Sequence, residues 1–446
     1  MIDMGNKYEY SIYNIPITQD EHTVTLYNCY SGGIVQLEKD VFDSIKDKDF
    51  LLDDVKYGNE LKNNGYIVNN QIDEFRRAKM QIETTIANHM QKAVSYVIAP
   101  TLNCNLRCVY CFQKDFRTDG KENIITKETS EKIIEYILKS NQSNKYLKQV
   151  NITWFGGEPL LCFEQIVSFC KDIKDRLSEI NVKLMSKMIT NGALLDDDKL
   201  KILKSECNLE QVQITLDGEV DTYCEKKQTT AETFGKVLKN IKNATKHIKT
   251  NVRVNADKTN YEELKSVIKS LYESDINKEN LIVHFAQLRD YSCNEKESAC
   301  FNDLEFWESK EKFFSDVGQI QSSQKNNSLT AFSHIPYCGL AIGKNLVIDY
   351  LGNFYKCEHY IGDKSKIVGN VDDGLFYNKT YMNATKLATD VRCEKCKVFP
   401  FCNYAQCVAM HSFSGTDENC KCYEKQLETI QQKVKKYLET HKNENS

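Results

Sequence analysis

The chain has 446 residues, of which 41% are hydrophobic, and a formal net charge of −4, so it can form two or three domains with sizeable cores. The slight acidic balance argues against a nucleic-acid-binding protein, and no apolar run is long enough to span a membrane. The first residues contain neither a basic nor a hydrophobic signal region, so we expect a cytoplasmic protein. Because cytosolic thiols stay reduced, the 18 cysteines predict metal or iron–sulfur ligation rather than disulfides.

Residues 1–85 are predicted to form a small α+β module that resembles a winged helix. A helix end, a turn at Gly65 and a short apolar strand follow one another as in a winged-helix hairpin. The predicted elements are strands at Tyr8–Ile12 and Val24–Tyr27, a helix around Leu37–Ile45, the turn-and-strand segment Leu61–Val68, and a polar linking helix at Asp73–Gln91.

Strands and helices alternate between residues 93 and 290, which predicts an α/β domain with a parallel sheet and crossover helices. Residues 300–333 form a polar bridge with one predicted helix, and residues 334–446 are Cys-rich and end in an amphipathic helix. The expected strands are Ser95–Ala99, Val150–Phe155, Leu184–Thr190, Gln211–Leu216, Val252–Ala256 and Ile282–Ala286; helices are expected to include Lys132–Leu138, Phe234–Ile241, Leu304–Val317 and Glu424–Leu438.

Three cysteines lie in one short loop directly after the first of these six strands. Cys104, Cys108 and Cys111 have the spacing C-x3-C-x2-C. A four-iron cluster usually takes four cysteines, so three thiolates leave one iron open to a ligand that is not protein. The alternative is a zinc site or three buried thiols, although zinc sites usually bring cysteines in pairs and close with four ligands.

This spacing, with Tyr110 just before the last cysteine, resembles the radical S-adenosylmethionine (SAM) superfamily. In that family the open iron binds SAM, and an electron from the cluster cleaves SAM to release a 5′-deoxyadenosyl radical. The resemblance implies that residues 93–290 form the family's partial (β/α)6 TIM barrel. Chemistry in such barrels takes place at the carboxyl ends of the strands, where the three-cysteine loop is expected.

Further motifs follow the next strands. After the second strand, Gly156-Gly157-Glu158-Pro159 matches the family motif that binds the methionine part of SAM. After the third strand, Thr190 and Asn191 stand where the family places polar groups toward the ribose or the carboxylate of SAM, although Asn-Gly also favours a plain turn.

The fourth and fifth strands add Asp217 and Arg253 as candidate cofactor-binding residues; each has a plain alternative, a turn former for Asp217 and a structural ion pair for Arg253. Relatives commonly follow the Asp with His-Asp-x-x-Arg, whose Arg helps to bind the SAM carboxylate. This chain instead has Lys227 at the end of Tyr-Cys-Glu-Lys-Lys, and a Lys supplies charge without a bidentate fork.

The C-terminal region contains a second set of candidate metal ligands: Cys338, Cys357, Cys393, Cys396, Cys402, Cys407, Cys420 and Cys422. This pattern resembles the SPASM domain, which holds auxiliary iron–sulfur clusters. The resemblance implies that Cys393, Cys396, Cys402 and either Cys420 or Cys422 close one cluster, and that Cys338, Cys357 and Cys407 hold the other. The sequence just before Cys338 contains no cysteine, so this second cluster is expected to have an open iron, unless His334, His359 or the spare one of Cys420 and Cys422 completes it. Two zinc sites are the alternative.

Radical SAM proteins with SPASM domains mostly modify peptides or proteins. The N-terminal module before the three-cysteine loop is similar to modules of peptide maturases that pair with a leader peptide by β-addition; the alternative is an element that caps the barrel. We therefore expect an enzyme that acts on a ribosomally made Cys-containing precursor peptide and forms a thioether, with the open auxiliary iron binding the substrate thiolate. Its expected partners are that peptide and an electron donor such as flavodoxin or ferredoxin. The alternatives are an anaerobic sulfatase-maturing enzyme, another SPASM protein modification, and a zinc-rich scaffold without enzymatic activity.

Overall fold

The computed structural model describes residues 7–46, 49–117, 123–288, 299–301, 303–318, 340, 345–385, 393–401 and 421–442. Among the helices that these residues form, none combines the length and the apolar composition needed to cross a membrane.

The N-terminal residues form two antiparallel three-stranded sheets, with the strand orders β5-β1-β6 and β2-β3-β4. Gly65, at a φ of 79°, turns the chain from the second helix into β6, as the sequence predicts. The sequence does not predict β2, which contains Pro16, or β4, which directly precedes the first helix. The elements are β1 (Lys7–Tyr10), β2 (Asn14–Gln19), β3 (Thr23–Asn28), β4 (Ile34–Glu38), α1 (Lys39–Ile45), β5 (Phe50–Leu51), α2 (Gly58–Asn63), β6 (Ile67–Asn69) and α3 (Glu74–Lys92).

The next part of the chain forms the predicted parallel sheet. Six consecutive strands pair in parallel, and each lies within three residues of its predicted bounds, so the expected partial barrel is confirmed. The strands are β7 (Ala93–Ile98), β8 (Gln149–Trp154), β9 (Lys183–Thr190), β10 (Leu209–Thr215), β11 (Lys249–Ala256) and β12 (Leu281–Gln287). The helices are α4 (Lys127–Asn141), α5 (Phe163–Glu179), α6 (Asp197–Cys207), α7 (Val220–Lys227), α8 (Ala231–His247), α9 (Tyr261–Glu273) and α10 (Asp303–Val317).

Four short strands from the Cys-rich region extend this sheet to ten strands. The added strands are β13 (Leu346–Ile348), β14 (Asn353–Tyr355), β15 (Gly369–Asn370) and β16 (Gly374–Leu375). β13 pairs in parallel with β7, and the other three follow it in antiparallel order. Two helices complete the described chain, α11 (Lys379–Thr385) and α12 (Lys421–Lys442).

Alternation along the parallel strands separates an apolar face from a polar one. On β7, Val94, Tyr96 and Ile98 are buried in the core shared with the helices. The residues between them face the inside of the partial barrel, where polar side chains bond across strands: Asn151 Nδ2 donates to Ser95 Oγ at 3.2 Å, and Asn251 Nδ2 donates to Gln213 Oε1 at 3.1 Å. The inner face is therefore polar and suited to a polar ligand.

The described residues divide into two compact units that do not follow chain order. The first combines residues of Met1–Ala87 with residues of Lys386–Ser446, and the second combines residues of Asn88–Lys325 with residues of Gly339–Thr385. The Cys-rich domain predicted at 334–446 therefore contributes described residues to both units. Its boundaries, and those of the 1–85, 93–290 and 300–333 regions, stay predictions.

One apolar core joins the two ends of the chain in the first unit. Residues of the N-terminal sheet and of α3 pack with the turn at 393–399 and with α12. The Phe75 and Phe399 rings lie 4.8 Å apart between centroids, and Gln431 Nε2 donates to the Pro16 carbonyl at 3.0 Å. The buried members are Tyr13, Ile15, Ile17, Tyr27, Cys29, Ala78, Ile82, Val398, Phe399 and Val434.

We predict that Phe399→Ala destabilises this first unit by about 3–5 kcal/mol, because it leaves a cavity beside Phe75. Amides of β2 and β3 should then exchange with deuterium faster, as measured by mass spectrometry, while amides of β8 to β11 keep their protection. Phe376→Ala, at a side chain that is 47% exposed, is the control and should change neither. Unaltered exchange of β2 and β3 in the Phe399 variant would contradict a shared core.

Candidate active site

The three-cysteine loop leaves β7 and is tied to the loop that leaves β8. Gly157 N donates to the Thr101 carbonyl at 3.1 Å, and Glu158 N donates to the Asn103 carbonyl at 2.8 Å. The Thr101 hydroxyl in turn accepts from Asn103 N at 3.0 Å. Because the carboxyl ends of parallel strands meet at one edge of the sheet, the two predicted SAM motifs lie side by side.

Two glycines make this close approach possible. Gly156 has a φ of 110°, and a Cβ there would lie 2.3 Å from the Thr101 carbonyl oxygen. A Cβ on Gly157 would lie 2.1 Å from the Asn103 carbonyl oxygen. Any side chain at either position would push the three-cysteine loop away from β8.

Glu158 joins the β8 loop to the β9 loop. Its carboxylate is fully buried and accepts from Leu160 N at 3.0 Å, Thr190 Oγ1 at 2.8 Å and Asn191 N at 2.9 Å. Burial raises the pKa of Glu158 to about 7, against the opposing effect of these three donors. Pro159 opens the short 3-10 helix that follows, Pro159–Cys162. The predicted cofactor-binding residues of both loops are thus held together, with the Glu158 carboxylate bonded to protein.

The three thiols have surroundings that suit an iron–sulfur cluster. Leu106 N donates to Cys104 Sγ at 3.5 Å and Asn191 Nδ2 donates to it at 3.9 Å, and such hydrogen bonds to sulfur tune cluster potentials. Burial raises the pKa of the Cys104 thiol to about 11, so metal binding is needed to hold its thiolate at neutral pH. The Arg117 guanidinium lies close enough to interact with all three sulfurs. Three thiols with these donors and this cation fit the cluster that the family resemblance implies.

Within the described ranges, no three His, Cys, Asp or Glu side chains are arranged to ligate a single metal ion. The cysteines of a cubane cluster each bind a different iron, so their sulfurs need not converge on one point. The cysteines whose side chains the structure describes are free thiols.

Asp217, at the end of β10, lies at the centre of a buried polar network. Its Oδ2 accepts from the Tyr110 hydroxyl and lies 2.8 Å from Lys227 Nζ, and its Oδ1 accepts from Asn255 N at 3.2 Å. Asn260 Nδ2 also donates to the Asp217 backbone carbonyl at 2.9 Å. The predicted site residue Asp217 is thus connected to the three-cysteine loop through Tyr110.

Arg253 lies on the inner face of the barrel, next to His284 on β12 in the parallel register. Its Nε donates to Asn255 Oδ1 at 2.9 Å. Burial, with the positive charges of Arg253 and Lys310, lowers the pKa of His284 to about 4, so this imidazole is neutral at physiological pH. Arg253 therefore brings a positive charge to this part of the inner face.

The segment after β14 brings a candidate auxiliary ligand near the same site. Cys357 is buried and is followed by a 3-10 helix, Glu358–Tyr360. Burial raises the pKa of the Glu358 carboxyl, and the charge of Arg253 opposes this rise. The His359 ring lies 4.4 Å from the Phe112 ring between centroids, beside the three-cysteine loop.

The other predicted auxiliary ligands are only partly described. Cys393 and Cys396 are half-buried and belong to the apolar core of the first unit. Cys422 lies within α12, and its side chain is not described; Cys338, Cys402, Cys407 and Cys420 lie outside the described residues. The assignment of cysteines to clusters therefore stays a prediction.

Sequence reasoning missed Glu358 as a contributor to the site, and it considered Lys227 only as a substitute for the arginine of relatives. The sequence could have indicated Glu358, because it directly follows Cys357, a candidate auxiliary ligand. The inward position of Lys227 has no such signal, because its partners Tyr110 and Asp217 are distant in sequence.

Comparison with known proteins agrees with this geometry. Residues 98–271 match the family profile described as the Radical SAM superfamily. A cysteine-type anaerobic sulfatase-maturating enzyme from Clostridium novyi (strain NT) is 25% identical over 344 residues, which cover 70% of this chain and 87% of that enzyme. A GTP 3′,8-cyclase from Clostridium perfringens (strain SM101 / Type A) is 35% identical over 158 residues, which cover 35% of this chain and 43% of the cyclase.

A solved structure shares the fold. Native anSMEcpe with bound AdoMet and Cp18Cys peptide aligns with a TM-score of 0.58 and 19% sequence identity, over 79% of this chain and 100% of that one. Residues 98–271 thus form a radical SAM domain, and the chain, which is similar over most of its length to an anaerobic sulfatase-maturating enzyme, is an enzyme with SAM and iron–sulfur clusters as its cofactors.

Proposed function

We propose that this enzyme modifies a ribosomally made, Cys-containing precursor peptide and forms a thioether between the cysteine sulfur and a carbon of the same peptide. The observation that supports this best is the placement of Cys357 and Glu358 beside the three-cysteine loop, through the contact of His359 with Phe112. A solved relative of the same fold was determined with a peptide whose name includes a cysteine, which supports a peptide substrate here.

When bound, SAM and the cluster of Cys104, Cys108 and Cys111 supply a radical that abstracts hydrogen. In thioether formation the peptide loses a hydrogen atom from carbon and a proton from sulfur, and a sulfur–carbon bond forms. One electron then remains; an auxiliary cluster held in part by Cys357 would supply the acceptor for this electron and an iron site for the substrate thiolate. SAM cleavage itself consumes one electron, for which a flavodoxin or ferredoxin is the proposed donor.

We assign to Glu358 the role of accepting the proton that the substrate thiol loses. Its carboxyl is adjacent in sequence to Cys357, and it interacts with Arg253 on the inner face of the barrel. A carboxylate at this place can accept the thiol proton as the peptide sulfur approaches. Arg253 then keeps a counter-charge within reach of the site.

The N-terminal module is proposed to bind the leader of the precursor. In the described part of the chain, β4 pairs only with β3, so its other edge is open to an added strand. Asn28 N donates to the Gly33 carbonyl, and Lys39 N donates to the His22 carbonyl. With the register Thr25↔Gln36, this alternation directs the backbone groups of Gln36 away from β3, toward the open edge.

Sulfatase maturation is the second candidate. Its support is the 25% identity to an anaerobic sulfatase-maturating enzyme over 87% of that enzyme's length. Against it, about a fifth of this chain lies outside the alignment with anSMEcpe, although all of that enzyme is covered. The two reactions give different products, since formylglycine formation at cysteine removes the sulfur from the peptide and thioether formation keeps it.

We predict that replacing Cys104, Cys108 and Cys111 together with Ala removes one of about three four-iron clusters per chain and abolishes SAM cleavage. Iron and sulfide analysis after anaerobic reconstitution, with 5′-deoxyadenosine measured by chromatography, tests this. Cys170→Ala and Cys207→Ala, at two fully buried thiols in the same unit, are the controls and should keep the full iron content. SAM cleavage at the normal rate in the triple variant, or zinc in place of iron in the wild type, would refute the assignment.

The reaction type is tested with the peptide encoded by a short Cys-rich reading frame next to the gene. Mass spectrometry should show the loss of two hydrogens with the sulfur retained, and no change in the Cys→Ser peptide. Glu358→Gln should lower product formation by about 10²–10⁴-fold while SAM is still cleaved without coupling. A product that has lost sulfur would instead establish the formylglycine reaction.

Gln36→Pro should weaken leader binding about tenfold, because it removes one backbone N–H from the open edge of β4. Gln36→Ala keeps this N–H and is the matched control. Calorimetric titration of both variants with the leader segment measures the difference, and SAM cleavage without peptide should be unchanged in both. Equal affinities of the two variants would show that the leader does not pair with β4.

A further inference from the structure

A buried ion pair lies directly beneath the three-cysteine loop. Lys227 Nζ and Asp217 Oδ2 are 2.8 Å apart, and their side chains are 4% and 0% exposed. Lys227 Nζ also donates to the Tyr110 hydroxyl at 2.6 Å, and this hydroxyl donates to Asp217. Burying two charges away from water costs free energy unless each charge has well-placed hydrogen-bonding or ionic partners. Here each of the two side chains has at least two such partners.

The backbone on both sides of Cys108 is bonded to the end of α7, which carries Lys227. Arg107 N donates to the Lys227 carbonyl at 3.2 Å, and Val109 N donates to the Lys226 carbonyl at 3.0 Å. Tyr110, two residues after Cys108, closes the same connection through its side chain. The backbone around Cys108 is therefore attached to the helix end that carries the ion pair's lysine.

Both charges act on the Cys108 thiol. Burial is the largest effect on its pKa and raises it, Lys227 lowers it, and Asp217 raises it. Although burial opposes the charging of Lys227, Asp217 and Tyr110 hold the pKa of Lys227 well above its usual value, so the ammonium is permanent. A fixed cation and a fixed anion thus lie within electrostatic reach of one cluster-binding position.

Lys227 stands at a position where relatives have a different residue. In the relatives that the sequence resembles, the corresponding motif ends in an Arg that helps to bind SAM. Here the Lys227 ammonium is occupied by Asp217 and by Tyr110, on the side of the loop that faces α7. Its positive charge is available to the cluster through space rather than to SAM through a direct bond.

We propose that Lys227 and Asp217 are positioning residues that set the reduction potential of the iron–sulfur cluster bound through Cys108, with Tyr110 fixing their distance from it. This inference rests on the proposed assignment of Cys108 as a ligand. Reduction adds one negative charge to the cluster, which Lys227 favours and Asp217 opposes. Because neither side chain is exposed to water, solvent and salt screen these interactions only weakly.

The test is a potentiometric titration of the reconstituted full-length enzyme without peptide, followed by electron paramagnetic resonance. The signal to follow is the one that changes when SAM is added. Asp217→Asn should raise the midpoint potential and Lys227→Met should lower it. Each should change the one-electron equilibrium about tenfold, or about 59 mV. The double variant, in which both charges are gone, should return toward the wild-type potential.

Lys226→Met is the matched control, because Lys226 is adjacent in the same helix and forms its own ion pair with Asp257 at 2.5 Å. It should leave the potential unchanged. Lys227→Arg keeps the charge and should stay near the wild type. If Lys227→Met prevents cluster uptake, the Asp217→Asn variant alone tests the proposal. An unchanged or lower midpoint potential in that variant overturns it. Because no peptide is present, this result does not depend on which peptide reaction the enzyme performs.

Discussion

The approach of two backbones without side chains between them determines the geometry of this site. Gly156 and Gly157 lie so close to the Thr101 and Asn103 carbonyls that a single Cβ would overlap them. Only because β8 ends in this pair can the loop from β7 lie across it and receive two backbone hydrogen bonds. Each further part of the site is attached to this contact, through Glu158 on one side and the end of α7 on the other.

Buried charge is used in two different ways around the loop. Glu158 has no cation among its bonded partners and is held by one hydroxyl and two backbone N–H groups, so its environment favours a shared or easily gained proton. Asp217 has Lys227 and stays paired. The first arrangement fixes loop shape, since hydrogen bonds are directional, whereas the second projects an electric field that extends beyond its own contacts.

The sequence predicts the local features of this molecule well. Alternation and the turn residues locate all six parallel strands, and the three-cysteine loop and the Gly-Gly turn are found by short-range spacing. β13 to β16 escape prediction because strands of two or three residues have no periodicity, and their stability comes from the sheet that they join. The contact of Lys227 with Tyr110 and Asp217 is likewise invisible, since it depends on how α7 packs against a loop more than a hundred residues away.

The shared core of the first unit has a consequence for biosynthesis. Tyr13 and Ala78 precede the barrel in the chain and are made before it, whereas Phe399 and Val434 follow the barrel strands and are made after them. The apolar side chains of the N-terminal sheet that face this core are therefore uncovered during most of translation, and they are covered only when α12 leaves the ribosome. Since the strands of the barrel can pair as soon as they are made, the barrel can form before the N-terminal sheet is fully packed. The N-terminal module thus acquires its final stability only after the catalytic domain has been made.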